Sequence, residues 1–586
     1  MDAGPGLDDV ARTVLEERYL RRDETGAVVE TPEELWARVA TNVASAEAAV
    51  GGDPEAVAAD FEALLRSRRF LPNSPTLMNA GTPLQQLAAC FVLPVGDSIA
   101  DIFETLKETA LIHQSGGGTG FAFSRLRPAG DVVKSTGGVA SGPVSFMRIF
   151  DAATEQIKQG GRRRGANMGV LSVHHPDVRE FVTAKREAGT LRNFNLSVAT
   201  DGDFWEAYAA GEDYDLVNPR TEEVVATADP KEFLDLAARQ AWATGDPGLL
   251  FLDRINADNP TPAVGRIEST NPCGEVPLLP NEACVLGSID LGRMTTVAPD
   301  AGRTDGEVDW DRLATTVRLA IRFLDDTVEV SEFPTAAIEA LMAANRKVGL
   351  GVMGFQDMLV DLGVPYDSEA ALSVAEEVMG AIATEARAAS RALAEERGSF
   401  PNWPESIHEE PMRNATVTSI APTGTISLLA GASASVEPIY NVAYTKRVLG
   451  GLEVVNDRFV AIAKARGFWR EGLLEDLHGR TTIRDVAEIP ADVRRLFPTA
   501  HDVPPRHHVE VQAAFQRHVD NAVSKTVNLP AEAGVADVRA VFETARDLGV
   551  KGITVFRSGA RREQVLGEDP LKEECVGECE YVGPPG

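Results

Sequence analysis

No apolar run in the 586-residue chain approaches the roughly 18 residues that a bilayer-spanning helix needs. The start, Met1-Asp2-Ala3-Gly4-Pro5-Gly6, lacks the basic and apolar regions of a signal peptide. A membrane-spanning or exported protein is thereby disfavoured, and a cytoplasmic one is expected. Lysine is scarce, with 11 against 46 arginines, and acidic residues outnumber basic ones 88 to 57. The resulting net charge of −31 repels a phosphate backbone, which argues against general nucleic-acid binding. A salt-rich cytoplasm or a GC-rich genome would each give this balance. Cysteine is rare as well: Cys90, Cys273, Cys284, Cys575 and Cys579. An odd number of widely spaced thiols does not build a secreted disulfide scaffold, so catalytic or metal-binding roles remain. Zinc finds little support. Cys575 and Cys579 could form half a site, but the other half is missing, and the Cys273 to Cys284 spacing fits no compact knuckle. The nine histidines suggest no metal site either. No internal repeat is found.

What is present reads as three segments. Residues 1–70 carry helical patterns, with a start signal at Thr31-Pro32-Glu33-Glu34: N-cap Thr, Pro at N1 and Glu at N3. Residues 71–562 begin with a Gly- and Pro-rich stretch to residue 142. After it, strand-like runs at 168–173, 194–198, 249–252, 286–291, 416–421 and 553–556 alternate with helical patterns. The 168–173 and 194–198 strands flank a helix expected at 177–187. The clearest helix is expected at 369–398, with Gly398 as its C-cap. Such alternation predicts an α/β architecture, and periodicity alone leaves open whether the sheet is open or closed. Residues 563–586, rich in Glu, Gly and Pro, read as a mobile tail.

Three glycine-containing loops invite a phosphate. Gln114-Ser115-Gly116-Gly117-Gly118-Thr119-Gly120-Phe121 has the look of a nucleotide loop, yet it lacks the Lys of a P-loop and the third Gly of a dinucleotide fingerprint. A tight turn is the alternative. Gly160-Gly161-Arg162-Arg163-Arg164-Gly165 concentrates positive charge in an acidic chain, which favours a polyphosphate ligand over a merely solvated loop. Ala421-Pro422-Thr423-Gly424-Thr425-Ile426-Ser427 follows a strand and offers hydroxyls and backbone N–H groups.

The most informative stretch is Asn271-Pro272-Cys273-Gly274-Glu275, where a thiol stands two residues from an amide and two from a carboxylate. In an extended segment these three side chains share one face. Alone, the stretch would read as a plain turn. Its context includes Cys284 ahead of a strand and, far upstream, Ser74-Pro75-Thr76-Leu77-Met78-Asn79-Ala80-Gly81 leading to Ala89-Cys90. Asn271 to Glu275 resembles the finger-loop motif of ribonucleotide reductases, and Cys90 and Cys284 match that family's redox pair in order and approximate spacing. The stretches 70–81, 114–125, 161–169, 421–427 and Ser524-Lys525-Thr526-Val527-Asn528-Leu529-Pro530 resemble its adenosylcobalamin-dependent class, and the likeness runs from about residue 10 to residue 565.

The resemblance implies a ten-stranded α/β barrel of two parallel five-stranded halves over 71–562, threaded by a loop carrying Cys273, with a helical segment before it. It implies that Cys273 becomes a thiyl radical and takes the 3′-hydrogen of a ribonucleotide. Glu275 is then the general base at the 3′-hydroxyl, Asn271 orients the substrate hydroxyls, and Cys90 protonates the leaving 2′-hydroxyl. Cys90 and Cys284 supply two electrons, and Cys575 and Cys579 relay replacements from a thioredoxin-like partner. Ser74, Ala89, Gly118, Pro272 and Gly274 match substrate-contacting positions, as do Pro422, Thr423, Gly424, Thr425 and Ile426 near the phosphates. Asp97, Ser98, Arg127 and Lys134 match the site of a deoxynucleoside triphosphate effector. Arg162, Arg163 and Arg164 match the loop that relays specificity near a homodimer interface. Diphosphate substrates are favoured by the Pro-Thr-Gly-Thr loop, and the helices before residue 70 look too short for an added dATP-sensing domain.

The radical source follows from a further absence. The class served by a diiron subunit needs adjacent tyrosines near the C-terminus, whereas none of the seven tyrosines here is next to another, and Lys551-Gly552-Ile553-Thr554-Val555-Phe556-Arg557-Ser558-Gly559 carries Phe556. No glycyl-radical motif is visible. Adenosylcobalamin remains as the expected cofactor. The rival readings are the diiron-dependent catalytic subunit and a nucleotide-sensing protein that kept the fold and lost the chemistry.

Overall fold

Helix signals act first along the chain. In the computed structural model, which describes residues 6–133, 137–159, 163–187, 189–446 and 451–560, α1 (Pro32–Ala44) starts where its capping box lies. Thr31 Oγ1 accepts from Glu34 N at 3.2 Å, and Glu34 Oε2 accepts from Thr31 N at 2.8 Å. Leu35, Val39 and Val43 recur at helical spacing and are buried. The following helix, α2 (Pro54–Arg66), is capped by the Asp53 carboxylate and buries Phe61, Leu64 and Leu65.

The strands close into a ring. One half holds β1 (Cys90–Pro94), β2 (Gly118–Ala122), β3 (Asn167–Ser172), β4 (Phe194–Thr200) and β5 (Gly248–Phe251), each parallel to the next. The other half starts with β6 (Glu282–Asp290) and β7 (Val348–Met353), also parallel. Parallel bridges Leu350–Thr418 and Ile420–Val523 continue it through segment 416–420 to β8 (Thr526–Leu529), which pairs in parallel with β9 (Gly552–Arg557). Antiparallel contacts join the halves on both sides, β1 with β6 and β5 with β9. This is the ten-stranded barrel of two parallel five-stranded halves that the resemblance implied. A short strand, Phe70–Pro72, runs antiparallel to the outer part of β6.

Outside the barrel lie α3 (Ile99–Gln114) on the first half, and α4 (Trp310–Val330) and α5 (Glu369–Arg397) on the second. Phe61 and Phe70 both meet Phe323 of α4 edge-on, at 4.9 and 5.4 Å between ring centres, so apolar packing holds the N-terminal helices to the barrel. Charge reinforces it. Buried Glu47, from the turn after α1, pairs with Arg322 of α4 and Arg397 of α5, and Arg397 also reaches Asp325 and Asp326. Breaking one partner of such a buried network costs on the order of 3–5 kcal/mol, because the others are left uncompensated. Among the described residues no helix is long and apolar enough to cross a membrane.

Several expectations shift. The helix expected at 177–187 forms only over Val178–Thr183. The strand expected at 286–291 begins earlier, at Glu282, because every residue of Glu282–Asp290 is buried and the alternation that marks a half-exposed strand is lost. The run 416–421 makes single bridges rather than a continuous ladder. Of the glycine stretch 114–120, Gly118 and Gly120 lie in β2, inside the barrel wall.

Candidate active site

A two-stranded hairpin, Ser269–Thr270 with Pro277–Leu278, enters the barrel and turns at 271–276. The reason β2 carries glycines is steric. A Cβ on Gly120 would sit 1.7 Å from Thr270 O, and one on Gly118 would sit 2.9 Å from the Pro272 ring. The hairpin therefore lies flat against β2. Both halves of the barrel hold its tip: Asn195 Nδ2 of β4 donates to Pro272 O at 2.8 Å, while Ser419 Oγ and Ala522 N each donate to Glu275 O at 2.9 Å.

The tip is a tight turn and not the extended segment expected from the sequence. Gly274 N donates to Asn271 O at 3.1 Å and Gly274 adopts φ +83°, a conformation costly for residues with a Cβ. A chain reversing within six residues cannot stay extended. The turn still brings Asn271, Cys273 and Glu275 to one cavity, of about 100 Å³. Asn271 and Glu275 are buried, and Asn271 Nδ2 donates to Cys90 Sγ at 3.0 Å. Cys90 Sγ lies 4.0 Å from Glu275 Oε1. Cys284 is registered directly opposite Cys90 across the β6–β1 pair, where Cα atoms stand about 4.5–5.5 Å apart, a separation that suits a disulfide. Cys284 is fully buried, and burial pushes its thiol up, partly offset by the Lys347 cation.

The same cavity is lined by Ser74, Ala89, Gly118, Pro272, Pro422, Thr423, Gly424, Thr425 and Ile426, so the structure brings these sequence-selected substrate positions together, whereas Gly274 is not among its lining residues. A short helix, Ile426–Ala430, begins at the end of that loop. The sequence reading missed Asn73, Leu286 and Ser288, which also line the cavity, and Tyr19, whose hydroxyl meets Ser74 Oγ at 2.9 Å. The Asn73-Ser74-Pro75 order, an N-cap before a helical Pro, was a legible signal for the first of these. Nothing local marked Tyr19.

Beyond the tip opens a second cavity, of about 1700 Å³, with Met168, Tyr440, Tyr444, Asn528 and Phe556 in its walls. Pro272, Cys273 and Pro422 border both spaces. The thiol of Cys273 thus stands on the partition between a narrow pocket and a wide one.

Sequence comparison agrees with this arrangement. The family profile described as the ribonucleotide reductase barrel domain matches residues 88–408 and 404–556, and the one described as the all-alpha domain of the same enzymes matches 6–85. The chain belongs to the ribonucleotide reductase family. It is 52% identical over 565 residues to a vitamin B12-dependent ribonucleoside-diphosphate reductase of Mycobacterium tuberculosis (strain CDC 1551 / Oshkosh), covering 96% of this chain and 80% of that protein. A protein of the same description from Thermoplasma acidophilum is 46% identical, over 94% of this chain and 79% of the other. In three dimensions the chain is similar to the class Id ribonucleotide reductase alpha subunit of Actinobacillus ureae, with a TM-score of 0.77 at 23% identity, covering 94% and 97% of the two chains; that likeness concerns the fold alone.

In this reductase the remaining sequence-selected positions lie elsewhere. Asp97 and Arg127 pair, with Arg127 Nε donating to Asp97 Oδ2 at 2.8 Å, and Ser98 caps α3. Arg163 and Arg164 form a two-residue strand paired with Lys158–Gln159. Lys134, Arg162, Cys575 and Cys579 lie outside the described residues.

The contact at Gly120 yields a test of the hairpin's placement. Gly120→Ala should lower stability by about 3 kcal/mol, the upper range for overpacking, since a methyl group must displace Thr270. Turnover should fall about 10²-fold, the cost of misplacing a reacting group by about 1 Å. Thermal melts and steady-state rates check both; an alanine variant equal to the parent in both would show that the hairpin has room.

Proposed function

We propose that the chain reduces ribonucleoside diphosphates to 2′-deoxyribonucleotides, with adenosylcobalamin as the radical source. One observation carries the reading. Cys273, at the tip of a hairpin held by both halves of the barrel, borders a pocket containing Asn271, Glu275 and Cys90, with Cys284 in register behind Cys90.

In this reading the ribose occupies the narrow pocket. The Cys273 thiyl takes the 3′-hydrogen, and Glu275 accepts the 3′-hydroxyl proton. Cys90 gives its proton to the 2′-hydroxyl, which leaves as water. Cys90 and Cys284 then furnish two electrons and join as a disulfide, the hydrogen of the Cys284 thiol goes to C2′, Glu275 returns its proton to the 3′-oxygen, and Cys273 returns hydrogen to C3′. Asn271, already bonded to Cys90 Sγ, orients the thiol and the substrate hydroxyls. The phosphates lie along Pro422, Thr423, Gly424, Thr425 and Ile426, where backbone N–H groups suit anions. The closed barrel keeps water from the radical.

The cofactor fits the wide cavity. Its volume of about 1700 Å³ admits a bulky corrinoid, and Tyr440, Tyr444 and Phe556 offer apolar faces, with Lys446 and Asn528 as polar contacts. Bound there, adenosylcobalamin supplies the radical that activates the Cys273 thiol. Phe556, on β9, has no phenolic proton, which disfavours a tyrosine relay from a diiron subunit. Cys575 and Cys579 are assigned to thiol exchange with a thioredoxin-like reductant of the cytoplasm. Asp97, Ser98, Arg127 and Lys134 are assigned to a deoxynucleoside triphosphate, with Arg162, Arg163 and Arg164 relaying its identity in a homodimer.

The test is turnover of purified protein with adenosylcobalamin, dithiothreitol and each nucleoside di- or triphosphate. Deoxynucleoside diphosphates should form with no second subunit. A requirement for a separate metal-containing subunit, or conversion of triphosphates alone, would overturn the reading.

A further inference from the structure

A buried ion pair lies beside the redox cysteines, and the reaction just described does not use it. Glu282, Cys284 and Leu286 alternate along β6 and so share its inner face, where Cys284 and Leu286 pack with Cys90, Val276 and Leu278 of the hairpin region. In the β6–β7 register Val285 pairs with Val348, which places Lys347, one residue earlier, alongside Cys284. A Cβ on Gly349, on the same face as Lys347, would lie 3.6 Å from Cys284 Sγ. Lys347 Nζ meets Glu282 Oε2 at 2.7 Å, and both side chains are 0% exposed. Glu282 is fixed further by Asn345 Nδ2 at 2.7 Å and Leu279 N at 2.8 Å. A buried Lys–Glu pair gives little net stability over apolar residues of similar size, so its presence next to a redox thiol points to a role.

We propose that Lys347 is a positioning residue for regeneration of the enzyme, steadying Cys284 as it is released from the Cys90–Cys284 disulfide. This rests on the redox role assigned above to that pair. Cys90 borders the substrate pocket whereas Cys284 does not, so an incoming dithiol attacks the Cys90 sulfur. The S–S bond breaks, a mixed disulfide forms on Cys90, and the electron pair leaves on Cys284 as thiolate. The reductant's second thiolate then attacks its own sulfur in the mixed disulfide and frees Cys90. The dithiol loses two electrons and two protons, and Cys90 and Cys284 gain both. A thiolate leaves faster when it is better stabilised. Burial opposes this at Cys284, and so do the carboxylates of Glu282 and of Glu275 from the hairpin; Lys347 is the cation acting the other way. From β9's side, Lys551 adds positive charge near Lys347, although it is itself paired with Asp258 at 2.8 Å.

The experiment uses the holoenzyme with adenosylcobalamin. Pre-reduced Lys347→Met should convert one substrate per Cys90–Cys284 dithiol at the parental rate when no further reductant is added. Reduction of its disulfide by dithiothreitol, followed by alkylation and peptide mapping, should slow about ten-fold, and the couple's potential should become more negative. Lys347→Arg should restore most of both, which a merely structural role would not require. Glu282→Gln keeps the cation and removes a repelling carboxylate, so it should change reduction in the opposite direction; it decides the matter if Lys347→Met does not fold. Parental reduction rates in both Lys347→Met and Glu282→Gln, or Lys347→Arg as slow as Lys347→Met, would overturn the proposal. If peptide mapping finds no Cys90–Cys284 disulfide after one turnover, it is the catalytic reading that fails instead.

Discussion

Cys273→Ser should leave no measurable deoxynucleotide formation, a loss of at least about 10⁴-fold of the kind seen when a reacting group is removed. Nucleotide binding should be unchanged by calorimetry. The hydroxyl occupies less space than the thiol and disturbs nothing that holds the turn, since the bonds fixing the tip run through Asn195, Ser419 and Ala522 to the backbone of Pro272 and Glu275. What changes is chemistry. A serine O–H bond is too strong to be opened by a carbon radical, so no substrate radical can form. Residual turnover in Cys273→Ser above about one part in 10⁴ would place the radical on another residue. The companion result is that Cys90→Ser and Cys284→Ser should fail at a later stage, after the 3′-hydrogen has been abstracted.

The contrast between Cys273 and Lys347 shows what the amino-acid sequence discloses and what it hides. Asn271, Cys273 and Glu275 were legible because three chemically loaded side chains fall within five residues, beside two glycine- and hydroxyl-rich stretches and two further cysteines. The capping box at Thr31 was legible because both of its bonds are local. The barrel's closure was not. It depends on the antiparallel seams Cys90–Cys284 and Leu249–Ile553, which join residues 194 and 304 positions apart, and no periodicity encodes such pairing. Nor was the purpose of Gly118 and Gly120, which read as a loop signal until Thr270 and Pro272 are seen against them. Lys347 and Glu282 sat unremarked because a charge in a sequence is usually a solvated one; only the strand register reveals that both point inward. Residues acting through long-range neighbours are the ones that need coordinates.

Glu275→Gln separates proton transfer from placement. The amide has the size and shape of the carboxylate, and the backbone carbonyl of residue 275 keeps its bonds from Ser419 and Ala522, so the hairpin should stay where it is. Substrate affinity should therefore change little. The rate of the chemical step should fall by about 10²–10⁴-fold, the usual contribution of a positioned acid or base, because an amide cannot accept the 3′-hydroxyl proton as the 2′-hydroxyl departs. Rapid-quench measurement of a single turnover reads this directly, and KM should move far less than kcat. If the base were supplied by water, or by Cys90 itself, the substitution would cost less than about ten-fold, since neither group is altered. A loss confined to KM would mean that Glu275 only binds the ribose, and the proton would then need another acceptor. Among the described lining residues of the narrow pocket, Glu275 is the one carboxylate, which is why the large effect is expected to fall on it.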